Sequence, residues 1–199
     1  MRTPLIALLL LPVAGSVAIR DLAAQPAAPA PNLFPEGPFE ILDSEGIPLS
    51  WRTPHPSHQQ RINAAFRTQT EPDGNRYVIL ENLDATKVLH MAAEIPVPAG
   101  TARVRVTFRL RARALAVSPE PEWAAVQLGG GWVDADGKHI THLRTEHRVR
   151  ADVPEWVTLE EVFSPPAGAT KIVLQPGLYH TSGAIDLDDF KVFAEPAVP

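Results

Sequence analysis

The sequence contains no cysteine. That excludes disulfides, thiolate metal sites, a cysteine nucleophile and a lipid-modified cysteine anchor. Lysine is scarce, with 4 lysines against 14 arginines in 199 residues. Helical periodicity is almost absent. Beyond the N-terminus, no apolar run approaches the roughly 20 residues that a membrane-spanning helix requires. A basic excess is also missing: the formal net charge is −5, which argues against a general nucleic-acid binder. There is no Gly-x-Ser-x-Gly elbow, no His-Glu-x-x-His and no phosphate loop. These absences do not exclude a glycosidase or lyase, whose paired carboxylates need no short motif.

The first residues read as an export signal. Arg2 supplies a positive start, Leu5 to Val13 an apolar segment, and Ser16-Val17-Ala18 or Ala24 a small-residue cleavage site. Residues 1–24 are therefore expected to be a signal peptide, and the protein to be secreted or periplasmic. Residues 25–31, rich in proline and alanine, read as a stiff extended linker. The domain itself is expected over residues 32–199.

Within that domain, alternation of period two dominates, and the 21 prolines of the chain punctuate it at strand-length intervals. The clearest strand runs from Arg103 to Arg113. Val104, Val106, Phe108, Leu110 and Ala112 share one face, and Arg103, Arg105, Thr107, Arg109, Arg111 and Arg113 share the other. Further strands are expected at 64–69, 76–81, 88–95, 123–133, 138–144, 156–163, 170–175 and 184–193. Asp136-Gly137 marks a tight hairpin, and Glu71 to Asn75 a turn-rich connection. About nine strands predict an all-β antiparallel sandwich. The polar segment Pro56 to Arg67 is the one helical alternative.

Four ordered motifs resemble bacterial carbohydrate-binding modules of the galactose-binding-like jelly-roll superfamily. They are Asn32-Leu33 followed by Gly37-Pro38-Phe39-Glu40; Gly46-Ile47-Pro48-Leu49-Ser50-Trp51; Trp156 to Leu159 with Pro166-Ala167-Gly168-Ala169; and Asp188-Asp189-Phe190-Lys191-Val192. The resemblance implies a jelly roll that binds a polysaccharide or oligosaccharide without catalysis. It also implies a structural calcium between Glu40 and Asp188, with Asp189 as a second candidate, since calcium takes several hard oxygens. Asp188 shares parity with Phe190 and Val192 and is expected to point inward. The acids could instead cap loops or pair with arginines.

Sugar recognition needs flat rings with polar groups beside them. Trp123, Trp132 and Tyr179 are the candidate ligand-binding aromatics, while Trp51 and Trp156 are read as packed. Trp132 ends a strand carrying Gly129-Gly130-Gly131, where glycines signal a bulge or the close approach of a partner backbone or a ligand. Arg109 and Arg111 head a ladder that could grip an acidic polysaccharide through planar forks. Alternatively the ladder is neutralised across strands by Glu81, Glu94, Glu160 and Glu161. His139 and His142 are expected on opposite strand faces, and neither they nor His55 and His58 form a convincing metal set. Two other functions remain open: a small secreted glycoside hydrolase or polysaccharide lyase, and an extracellular protein-interaction or assembly domain.

Overall fold

The computed structural model describes residues 30–44, 46–51 and 66–197. The signal segment, most of the linker, and His55 and His58 lie outside the described residues. The described chain forms eleven strands and one short 3-10 turn, Leu49–Trp51. The strands are β1 (Phe66–Thr70), β2 (Arg76–Asn82), β3 (Val88–His90), β4 (Ala93–Pro96), β5 (Thr101–Val117), β6 (Ala125–Val133), β7 (His139–His142), β8 (Arg148–Val149), β9 (Val153–Phe163), β10 (Lys171–Tyr179) and β11 (Thr181–Pro196). The run expected at 88–95 is two strands, because Met91 and Ala92 break it, and the two-residue β8 had no sequence signal.

Two antiparallel sheets pack face to face. One has the order β1-β2-β11-β5-β9. In the other, β10 and β6 are central, flanked by β3 and β4 on one side and by β7 and β8 on the other. Alternation decides what lies between them. Val104, Val106, Phe108, Leu110 and Ala112 of β5 are all buried, as are Ile172, Leu174 and Leu178 of β10. Each of the larger of these side chains gains about 1.5–3 kcal/mol on leaving water. The arginines of β5 fall on the opposite side of the pleat, away from the core.

The N-terminal segment closes one end of the sandwich. Asn32 bridges to Phe193, and its Oδ1 accepts from the Val192 N–H. Phe34, Phe39 and Trp51 then gather around Phe190, which stacks on Phe108 with ring centroids 4.9 Å apart. Phe190 reaches this position because β11 carries an extra residue between Asp188 and Lys191, where Asp189 takes a φ of 53°. The bulge shifts parity. Phe190 and Val192 point inward as expected, but Asp188 sits opposite Arg109 on the outer face, contrary to the uninterrupted alternation.

Phe190→Ala is expected to cost about 3–5 kcal/mol, measured by urea unfolding, because the stack and the closing cluster both lose their centre. A loss below about 1 kcal/mol would mean that the cluster does not hold the two ends together.

Candidate functional site

The two outer faces of the sandwich differ in chemistry. On the five-stranded sheet four of the five ladder arginines, Arg105, Arg109, Arg111 and Arg113, meet carboxylates. Asp186, almost fully buried, accepts from Arg111 Nε at 2.5 Å and from Arg113 Nη1 at 2.7 Å. Arg105 donates to Glu195 at 2.8 Å and lies 3.6 Å from Glu160. Arg109 lies 3.5 Å from Asp188 and 3.8 Å from Asp189. The guanidinium carbons of Arg109 and Arg111 also sit 4.6 and 4.5 Å from the centroid of Trp156, whose Nε1 donates to Glu71 at 3.0 Å. Tyr77 lies under Arg111, 4.9 Å away. A cleft of about 340 Å³ opens beside Gln69, Tyr77, Arg111 and Pro154. Its charges already face one another.

The partners of the ladder differ from those expected. Only Glu160 takes the predicted role. Glu81 pairs with Arg67, and Glu94 pairs with Lys171 on the other sheet. Glu161 lies on the core side of β9, opposite Val106, and accepts from the backbone N–H groups of Glu146 and His147. Most of the neutralising charge comes instead from β11, whose position next to β5 was not readable without the topology.

Glu40, Asp188 and Asp189, the residues expected to hold calcium, each have other partners. Glu40 Oε1 accepts from the Arg76 N–H at 3.1 Å, and the Glu40 carbonyl accepts from the Arg76 guanidinium. Asp188 accepts from Asn75 Nδ2 at 2.9 Å and from the Asp189 N–H at 2.7 Å, with Arg109 beyond. Asp189 stands near Arg109 and Lys191. These neighbours are hydrogen-bond donors and cations, whereas calcium needs a shell of oxygens. Among the described residues no group of three or more His, Asp or Glu is placed to hold a metal.

The outer face of the second sheet is built differently. Three of its outward positions are glycines, and neighbouring side chains at Gly129 and Gly131, and the Leu89 carbonyl with His90 at Gly177, occupy the space their missing side chains leave. A Cβ at Gly129 would lie 2.0 Å from the Tyr179 hydroxyl, one at Gly131 would lie 2.7 Å from His139 Nε2, and one at Gly177 would lie 2.6 Å from the His90 Cβ. Between them Gly130 faces inward with a φ of 130°, where a Cβ would strike the Val173 carbonyl. The glycine run therefore reflects both a close partner backbone and a floor on which rings rest.

Tyr179 lies across that floor. Its hydroxyl donates to the Gln175 carbonyl at 2.8 Å, and burial pushes the phenol well above its ordinary pKa, so it stays a neutral donor. His90 stacks on it, with centroids 6.0 Å apart and an interplanar angle of 21°. Trp123, exposed, meets Tyr179 at 6.3 Å and His180 at 5.1 Å. Farther along, His139 and His142 share this face with centroids 4.4 Å apart. A register irregularity between Trp132 and Val133 puts both histidines outward, overturning the expectation of opposite faces.

Of the five expected ligand-binding residues, Trp123 and Tyr179 thus meet on one face. Arg109 and Arg111 lie on the opposite sheet. Trp132 is only 2% exposed because its parity is inward, so its ring belongs to the core and not to a sugar-stacking surface. The sequence reading missed His90, Gln127, Gln175 and the glycine slots. The run Gly129-Gly130-Gly131 was the available signal for them.

Two solved structures share this architecture. The CBM22-1 xylan-binding domain from Paenibacillus barcinonensis Xyn10C matches with a TM-score of 0.53 at 13% identity, over 86% of this chain and 99% of that one. The CBM22-1-CBM22-2 tandem domain of the same Xyn10C gives 0.55 at 13% identity over 88% of this chain, which spans only 48% of the tandem. The enzymatically active domain of tailspike protein 4 from bacteriophage CBA120 gives 0.47 at 9% identity, with 18% of that chain covered. No protein-family model matches, and no curated protein does. The fold is the β-sandwich jelly roll found in carbohydrate-binding modules.

Two measurements follow. Burial raises the pKa of Asp188, outweighing the hydrogen bonds from Asn75 and Asp189. The native state then holds the proton more tightly than the unfolded chain does. The resulting stabilisation is full below the unfolded value, near 3.9, and is lost as the pH rises through the folded value. Asp188→Asn should therefore match the unsubstituted protein near pH 4 and gain on it toward pH 7 in urea unfolding. A gap that narrows with rising pH would contradict this. A calcium ion between Glu40 and Asp188 would make the melting temperature fall by several degrees in EDTA and recover with calcium, whereas an unchanged melt would remove both residues from a metal role.

Proposed function

We propose that this chain is a secreted or periplasmic carbohydrate-binding module that holds a polysaccharide or oligosaccharide on the outer face of the six-stranded sheet and does not cleave it. The observation that carries this reading is the set of rings from Tyr179, His90 and Trp123 at the end of a glycine floor. A pyranose lays its apolar face on such a ring while its hydroxyls reach neighbouring amides. Gln127 and Gln175 supply those amides: Gln127 pairs across to Gly177, and Gln175 to Gly129. The face runs the length of β10, about 27 Å at the usual rise per residue, which suits a chain of several sugars.

The non-catalytic part of the reading has its own support. Glycoside hydrolysis uses two carboxyl groups about 5–9.5 Å apart. The strands of this face contain a single carboxylate, Glu94, which bonds to Lys171 at 3.2 Å. Export is supported by the apolar segment Leu5 to Val13 and the small residues after it.

Affinity electrophoresis against a panel of plant and bacterial glycans tests the reading. Trp123→Ala and Tyr179→Ala should each weaken binding about tenfold or more, as loss of an aromatic anchor does. Arg109→Ala with Arg111→Ala should leave binding unchanged. The opposite pattern would move the site to the arginine face.

A further inference from the structure

Resting on the glycan reading above, we infer that the ligand of the six-stranded face is an anionic glycan, carrying uronate or sulfate groups, with Arg148 as its principal charged contact. The inference starts from how charge is distributed over a net acidic chain. The five-stranded sheet carries as many acidic side chains as basic ones, and on its outer face Arg67, Arg105, Arg109, Arg111 and Arg113 each have a carboxylate partner. The six-stranded sheet has one acid, Glu94, already bound by Lys171. Its other polar side chains are donors or amphoteric: Arg148 on β8, His139 and His142 on β7, His90 on β3, Gln127 on β6, and Gln175 and Tyr179 on β10.

Register places the cation against the rings. Arg148 lies opposite Gln127, Gln127 opposite Gly177, and Gly177 opposite His90. A single row across the sheet thus runs from the Arg148 guanidinium to the imidazole stacked on Tyr179. Arg148 is exposed and forms no ion pair with another described residue, unlike Arg105, Arg109, Arg111 and Arg113 on the opposite sheet. A guanidinium presents two parallel N–H groups that match a carboxylate or sulfate. At the other end of the face, two rows along β6, His142 lies opposite Gly131. Each of the His139 and His142 rings offers an N–H to an anionic oxygen. A sugar stacked near Tyr179 would present a substituent to Arg148, and a residue farther along the chain would reach the histidine pair. No carboxylate on these strands stands free to repel either group.

The test uses the full mature chain in affinity gels containing polygalacturonate, glucuronoxylan or a sulfated galactan, each run beside its carboxyl-reduced or desulfated form. At least one charged polymer should bind about tenfold tighter than its neutral partner, with binding that weakens as salt rises. Arg148→Glu should remove that preference, while Arg109→Ala on the opposite sheet should keep it. Circular dichroism of both variants separates lost binding from lost fold. Equal or tighter binding to the neutral polymers would overturn the anionic ligand and leave the glycan reading standing. So would a charge preference that survives Arg148→Glu, as far as the assigned contact is concerned. If no polymer of either kind retards the folded protein, both readings fail together.

Discussion

The pairing of β5 with β11 is the constraint on which the rest of the sandwich depends. These are the two longest strands, 17 and 16 residues, and they lie side by side within the five-stranded sheet. Strict alternation along β5 commits five apolar residues to the core and five arginines to the outer face. Cations spaced two residues apart repel one another unless each meets an acid. Strand β11 supplies Asp186, Asp188 and Glu195 opposite or diagonal to Arg111, Arg109 and Arg105. The same strand must also deliver Phe190 to the aromatic plug. One extra residue at Asp189 reconciles the two demands: acids face out before the bulge, and Phe190 and Val192 face in after it.

The outer faces then show two solutions to exposing a sheet. The five-stranded face is saturated. Its tryptophan is flanked by two guanidinium groups and its indole N–H is taken by Glu71, so little is left to offer a ligand. The six-stranded face is bare by comparison. Glycines at 129 and 131 leave space that the Tyr179 and His139 rings fill, and Gly177 admits the Leu89–His90 backbone, so the result is a shallow surface instead of a ladder. Burial of polar surface on the first face serves the fold; the second face has groups whose bonding capacity is not consumed by it.

The sequence made the sandwich legible because alternation along β5 is clean and many prolines mark strand ends, though Pro154 and Pro176 lie within β9 and β10. It misled where one residue breaks the alternation. At Asp189 the bulge moved Asp188 to the arginine face, and at Val133 a register irregularity brought His139 and His142 together. Trp132 shows the same sensitivity: it sits one position from Gly131, and one position is the difference between surface and core. Trp123 and Tyr179 were singled out because each was read as lying in or beside a loop, whereas Tyr179 is the last residue of β10. The company that Tyr179 keeps with His90 and Gln127 was hidden, since these stand 89 and 52 residues from it in the chain, on strands that only the topology makes neighbours. The glycine run was read correctly as a close approach. Which neighbour approaches, a backbone at Gly130 and rings at Gly129 and Gly131, depends on three-dimensional register alone.

The glycine floor also bears on the strength of any binding. A tyrosine on an open sheet edge would sample several rotamers, and a ligand would have to select one at a cost in entropy. Tyr179 is fixed beforehand by the Gln175 carbonyl, by the space above Gly129 and by the stacked His90. The ordering cost falls on folding, where it is spread over the whole core. Trp123 is tied less directly, through the Arg150 guanidinium, which donates to the carbonyl of Glu122 next to it. The same loop carries Arg148 on β8 and is anchored to the sandwich interior by Glu161 through the N–H groups of Glu146 and His147. A buried carboxylate with no place in the arginine ladder thereby holds the loop that lends this face its cation and steadies its exposed ring.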